Sequence, residues 1–120
     1  MIKIANKKTH EPKNGWIDVY IGRGSPLGNP YPITPTDSRR KVCKKYEKYF
    51  NERVVILGDP VREEVKRIFR LVMAGENINL ICYCFPLQCH GETLLDFLTR
   101  HLPIEHLSDK AEANETLSLF

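Results

Sequence analysis

Three cysteines and a histidine stand within nine residues of one another, as Cys82-x-Cys84-x4-Cys89-His90. Three thiolates and an imidazole suit tetrahedral zinc, and Cys82, Cys84 and Cys89 are the ligand set this pattern offers. The spacing is unusual for that metal. Common zinc sites draw ligands from two separated pairs, and adjacent Cys89 and His90 cannot easily reach one ion together. A second chemistry is catalysis by Cys89. A thiol near a helix N-terminus gains from the dipole and the free amides as a thiolate, and His90 can act as acid or base on a bound ligand. Nucleophilic catalysis also needs a base aimed at the sulfur, and sequence neighbours rarely point at each other. The alternative without chemistry is packing, with the cysteines as small buried apolar residues and His90 in a local hydrogen bond. Cys43 reads as a packing residue.

The second constellation is Gly22-Arg23-Gly24-Ser25-Pro26-Leu27-Gly28-Asn29-Pro30. It is neither a Walker loop nor a dinucleotide fingerprint, because no Gly-Lys-Ser/Thr ends it and its glycines are wrongly spaced. Glycine-rich turns can still aim backbone amides at a phosphate, here through Gly22, Gly24 and Gly28. Arg23 can make a bidentate contact with phosphate or carboxylate, and Ser25 and Asn29 can bond a sugar or a base edge. The alternative is a structural loop that Asn29 ties together and whose Arg23 pairs with an acidic residue.

These segments need elements to hold them. Ile2 and Ile4 alternate with Lys3 in a weak strand over residues 1–8. Asn14-Gly15 is a turn signal, and Trp16 to Ile21 alternates as a second strand. A hairpin joining the two is the plausible connection, with a crossover as the alternative. A basic helix follows over about Ser38 to Asn51, capped by Thr36 or Asp37, with Val42, Tyr46, Tyr49 and Phe50 on its apolar side. Val54 to Leu57 is a short strand or the lead into the next helix. Asp59-Pro60 starts that helix, which runs to about Ala74 with Val61, Val65, Ile68, Phe69 and Val72 inward. Ile78 to Cys84 reads as a strand buried on both faces. Gly91 to Leu102 reads as a helix with Leu94, Leu95 and Leu98 facing the core.

This order predicts an α/β class: one small Rossmann-like domain over residues 1–103, with a partly parallel sheet flanked by helices. Residues 104–120 are expected to form a loosely attached tail. Ligands of such sheets bind beyond the C-terminal ends of the strands. If the strands before the two loops are parallel neighbours, both loops line one crevice.

Composition agrees with one domain. The chain has 120 residues, 42% hydrophobic and 28% charged, with a formal charge of +3. No apolar run approaches the ~20 residues of a membrane span, and the first ten residues lack the apolar centre of a signal peptide. A cytoplasmic location is therefore expected, the host cytoplasm if the protein is phage-encoded. Clustered cysteines there read as thiols or metal ligands before disulfides. The small basic excess suits an anionic ligand and is not diagnostic of nucleic acid.

Together the motifs resemble domain-of-unknown-function family 4326 (DUF4326), found in phages and bacteria. The residues that carry the resemblance are Ile21-Gly22-Arg23, Ser25, Gly28-Asn29-Pro30, Tyr31 and Ser38-Arg39. Cys82, Cys84, Pro86 and Cys89-His90-Gly91 complete them. The resemblance spans about Ile2 to Leu102. It implies a fold and a shared site for the two loops, but no established activity. The leading expectation is a domain that binds, and in one version processes, a nucleotide or related phosphorylated, sugar-containing ligand. Gly22, Arg23, Gly24, Ser25, Gly28, Asn29 and Arg39 would bind it, and Cys89 and His90 would face the reacting group. The competing expectation is a non-enzymatic module of phage host-takeover or anti-defence type. It would bind a protein or nucleic acid, and its cysteines would be structural.

Overall fold

A computed structural model describes residues 1–84, 87 and 89–101. The order is β1 (Ile2–Asn6), β2 (Trp16–Tyr20), α1 (Arg39–Arg53), α2 (Pro60–Met73), β3 (Asn77–Cys82) and α3 (Gly91–His101). The sheet has three strands in the order β1-β3-β2, and β3 pairs in parallel with both neighbours. The α/β class holds, and the sheet is parallel throughout. Pro86, Leu102, Pro103 and the tail over 104–120 lie outside the described residues.

The hairpin expected between the first two strands does not form. β3 lies between β1 and β2, so the chain crosses over through residues 7–15. The Asn14-Gly15 turn exists, closed by the Trp16 amide donating to the Lys13 carbonyl at 3.1 Å, but it redirects the chain into β2 instead of joining neighbours. Side-chain register explains the preference. Ile2 and Ile17 both lie opposite Ile78, and Ile4 and Val19 both lie opposite Leu80. One apolar face results, three strands wide, with the most apolar strand at its centre.

All three helices contribute to the core on that face. Ile78, Leu80 and Cys82 join Tyr46 and Phe50 of α1, Val61, Val65, Ile68, Phe69 and Val72 of α2, and Leu94 and Leu98 of α3. Leu95 is only half-buried; Phe97 packs instead, its ring 5.1 Å from that of Phe50. The second face of β3 is buried too, and among the described residues no helix covers it. Asn79 donates to Asp18 at 3.2 Å, and His10, on the 7–15 crossover, meets the same carboxylate oxygen at 3.0 Å.

Local chemistry sets the helix ends. Asp59 caps α2, its carboxylate accepting from the Val61 amide at 2.9 Å, with Pro60 in the first turn. α1 is capped by Ser38, whose hydroxyl accepts from the Lys41 amide at 3.3 Å. Thr36 and Asp37 do not cap it, because the Asp37 carboxylate is taken by Lys45 at 2.6 Å. Val54 to Leu57 is a turn and no strand. Val54 is buried at the end of α1, while Val55, Ile56 and Leu57 are exposed. Arg62 is buried as well and donates to the Val54 carbonyl at 2.9 Å. No helix among the described residues is long and apolar enough to cross a membrane.

Candidate functional site

β2 and β3 are parallel neighbours, so their C-terminal ends lie side by side. The Gly22–Pro30 loop leaves one end, and the residues leading to Cys89-His90 leave the other. Between them opens a cleft of about 130 Å³. Gly22, Arg23 and Asn29 of the first loop line it with Cys84, Cys89 and His90 of the second and Arg39 from the start of α1. The expected crevice is therefore formed. Gly24, Ser25, Gly28 and Cys82 do not line it. Tyr31, Ile33, Cys43 and Tyr83 do, and the sequence reading gave none of them a place there.

The first loop is held by its own polar groups. The Ser25 hydroxyl donates to the Gly22 carbonyl at 2.7 Å, and the Ser25 amide donates to the same oxygen at 3.1 Å. The Gly28 amide then donates to the Ser25 carbonyl at 3.0 Å. Asn29 accepts from the Tyr31 amide at 2.9 Å and donates to the Val42 carbonyl of α1 at 3.4 Å. Ser25 and Asn29 therefore tie the loop; the structural alternative gave that part to Asn29 only. Tyr46, fully buried, completes the tie with its hydroxyl on the Leu27 carbonyl at 2.8 Å.

The second loop begins earlier than expected. β3 ends at Cys82, so Cys82 and Cys84 are not a pair on one strand face. Cys82 is fully buried in the core, and Cys84 is partly exposed in the cleft. Cys89 Sγ lies 3.3 Å from Cys82 Sγ. Among the described residues no group of three or more His, Cys, Asp or Glu side chains is gathered to hold a metal ion. β3 ends between Cys82 and Cys84, so that Cys82 lies in the core while Cys84 lines the cleft with Cys89.

Cys89 also opens α3. Glu92 reaches back to accept from the Cys89 amide at 2.9 Å, and Cys89 Sγ accepts from the Gly91 amide at 3.3 Å. The Glu92 contact is one half of a capping box, and the sulfur stands where a capping hydroxyl would, on the amide two residues on. The amide favours a thiolate, but two effects outweigh it. The Cys82 contact and burial push the Cys89 thiol well above its ordinary value. At rest Cys89 is a protonated thiol, not the activated thiolate that a helix N-terminus suggests.

His90 is aimed at its neighbour, contrary to the expectation from sequence adjacency. Its Nε2 lies 2.5 Å from the Ile21 carbonyl oxygen, and its Nδ1 lies 3.5 Å from Cys89 Sγ. A carbonyl only accepts, which assigns the proton to Nε2 and leaves a lone pair on Nδ1. Burial lowers the His90 pKa, and the bond to Ile21 opposes this only in part. Both states are neutral above the unfolded value of about 6.5. Below it the unfolded chain takes up a proton that the folded one resists, so stability is lost as pH falls from there towards the lowered folded value. His101, also lowered by burial, adds in the same direction. Urea midpoints are expected to fall between pH 7.5 and pH 5.5, and His90→Gln is expected to flatten that fall. An unchanged slope in the variant removes His90 as the cause.

The two motifs that sequence alone marks out thus line one cleft across two parallel strand ends. No curated protein and no solved structure matches the chain. A family model does, over residues 4–100, which include both cleft-forming loops and every described strand and helix in whole or large part; the chain belongs to the family described as Domain of unknown function (DUF4326).

Proposed function

We propose that the cleft binds the phosphate-bearing part of a nucleotide or related phosphorylated, sugar-containing ligand. The observation that carries this reading is the joint presence of Arg23 and Arg39 in a cleft beyond the ends of β2 and β3. That is where α/β sheets hold their ligands, and guanidinium groups suit phosphate oxygens. The size bounds the ligand. A cleft of about 130 Å³ is smaller than the roughly 300 Å³ at which pockets for drug-sized molecules begin. It fits one end of a nucleotide, and the remainder would lie against aromatic rings of the lining. Tyr31 and Tyr83 offer such surfaces. If the ligand is also processed, neutral His90, whose Nδ1 lone pair faces Cys89 Sγ, is the proton acceptor at hand.

Thermal shift tests the reading with nucleoside mono-, di- and triphosphates, ribose 5-phosphate and pyrophosphate. A ligand at a hundred times its Kd stabilises by about 2.7 kcal/mol. Arg23 is exposed, so Arg23→Ala is expected to fold normally and to weaken binding at least about tenfold, the loss of one charge-assisted hydrogen bond. No shift by any of these at millimolar concentration rejects the proposal.

The non-enzymatic reading has one observation in its favour. Val55, Ile56 and Leu57 are consecutive and exposed at the turn between α1 and α2, a surface more suited to a protein than to nucleic acid.

A further inference from the structure

We propose that Cys82 and Cys89 are a two-electron dithiol–disulfide centre, oxidised by a hydroperoxide that enters through the cleft. The inference is independent of the ligand reading. Four observations bear on it. The two sulfurs are 3.3 Å apart as free thiols; a disulfide needs about 2.0 Å, so a small rotation of either side chain closes the bond. Cys82 ends a central strand and Cys89 opens a helix, so the elements holding both are anchored in the core. Cys89 lines the cleft while Cys82 lies behind it, fully buried. Finally, a proton acceptor is in place, with His90 Nδ1 at 3.5 Å from Cys89 Sγ and its tautomer fixed by Ile21.

These positions assign the two sulfurs different parts. Either thiol can donate to the other, but an imidazole nitrogen is the better acceptor. The Cys89 proton therefore belongs on the line to Nδ1, and the Cys82 proton on the line to Cys89 Sγ. In the first step His90 Nδ1 takes the Cys89 proton as Sγ attacks one peroxide oxygen. An S–O bond forms and the O–O bond breaks. The leaving oxygen, hydroxide from hydrogen peroxide or alkoxide from an organic hydroperoxide, takes the proton back from His90 as water or alcohol. Cys89 is then a sulfenic acid, two electrons more oxidised, and the peroxide oxygen is reduced. In the second step Cys82 Sγ attacks the Cys89 sulfur. An S–S bond forms, the S–O bond breaks, and the hydroxyl leaves with the Cys82 proton as water. A dithiol reductant reverses the sum by exchange.

The resting state fits a slow, size-selective reaction. Cys89 is a buried, protonated thiol, so bulky alkylating reagents reach Cys84 and Cys43 first. A hydroperoxide is small enough for the cleft, and deprotonation occurs only as the S–O bond forms. Oxidation also changes the site. Once Cys89 carries no S–H, His90 Nδ1 loses that donor and its lone pair is left for whatever occupies the cleft.

The experiment treats the native full chain with hydrogen peroxide, blocks remaining thiols with N-ethylmaleimide, and maps the peptides by mass. The expected product has lost about 2 Da, two hydrogens, in one peptide pair joining Cys82 to Cys89. Dithiothreitol restores both thiols. Cys82→Ala is expected to leave Cys89 at the sulfenic or sulfinic stage, and Cys89→Ala to leave Cys82 unmodified. Oxidation confined to Cys43 and Cys84, or a link from Cys89 to Cys84, overturns the proposal. The wild-type map reads this without any variant, so an unstable alanine protein leaves the answer intact.

Discussion

Tyr46→Ala is expected to cost about 3–5 kcal/mol of folding stability, the range for deleting a buried aromatic side chain. Tyr46 is fully buried and meets three parts of the structure at once. Its ring stacks on Phe50 at 6.1 Å and lies edge-on to His90 at 5.0 Å, and its hydroxyl holds the Leu27 carbonyl. Small domains have only about 5–15 kcal/mol in all, so the variant is expected to be marginal by urea unfolding. Tyr46→Phe separates the contributions. It keeps the ring and leaves the Leu27 carbonyl without its donor, at about 1–3 kcal/mol. Because Leu27 sits in the loop that carries Arg23, Tyr46→Phe is also expected to weaken any anion affinity while His90 and the core stay packed. A Tyr46→Phe protein as stable as the parent would mean that the loop is held by Ser25 and Asn29 alone.

The difference between what the sequence discloses and what it conceals follows the range of the interactions. α2 was legible because its signals are local: Asp59 and Pro60 at the start, and Val61, Val65, Ile68, Phe69 and Val72 at helical spacing. β3 was legible because a continuous apolar run has few other homes. The crevice could be inferred from two loops leaving strand ends, subject only to the pairing of those strands. The order β1-β3-β2 was not legible, because Asn14-Gly15 carries a hairpin signal whether or not the next strand is a neighbour. Nor were the roles of Tyr31 and Tyr83, since an aromatic after a loop or a strand has no period to mark it. The orientation of His90 was concealed for another reason. Adjacency in sequence argued against a Cys89–His90 contact, but the Ile21 carbonyl, 69 residues away in the chain, turns the imidazole until Nδ1 faces the sulfur. Glu92 had a local signal, an acidic residue three positions after the capping residue. That signal is weak beside a cysteine, because sulfur is rarely the capping atom.

Gly28→Ala is expected to be the most damaging single methyl group in the cleft loop. A Cβ at Gly28 would meet the Gly22 carbonyl oxygen, with the Gly22 carbonyl carbon at 3.0 Å and Arg23 Cα at 3.1 Å. All three are main-chain atoms, so no side chain can swing aside. Either Gly28 moves away from Gly22 or the bonds from Ser25 to the Gly22 carbonyl break. Overpacking of this kind costs about 1–3 kcal/mol, and the displaced segment is the one that carries Arg23. The comparison is Gly24, which has a left-handed φ of 90° but open space where a Cβ would go. Asparagine tolerates that backbone region better than other side chains, so Gly24→Asn is expected to cost under about 1 kcal/mol. Chemical unfolding of the two variants, with the anion thermal shift on each, separates close approach from backbone conformation. Loss of stability and of anion response in Gly28→Ala alone would establish that the cleft depends on the Gly22 and Gly28 backbones lying against each other. Equal damage in both variants would move the requirement to φ, and an undamaged Gly28→Ala would mean that the loop has room to open without disturbing Arg23.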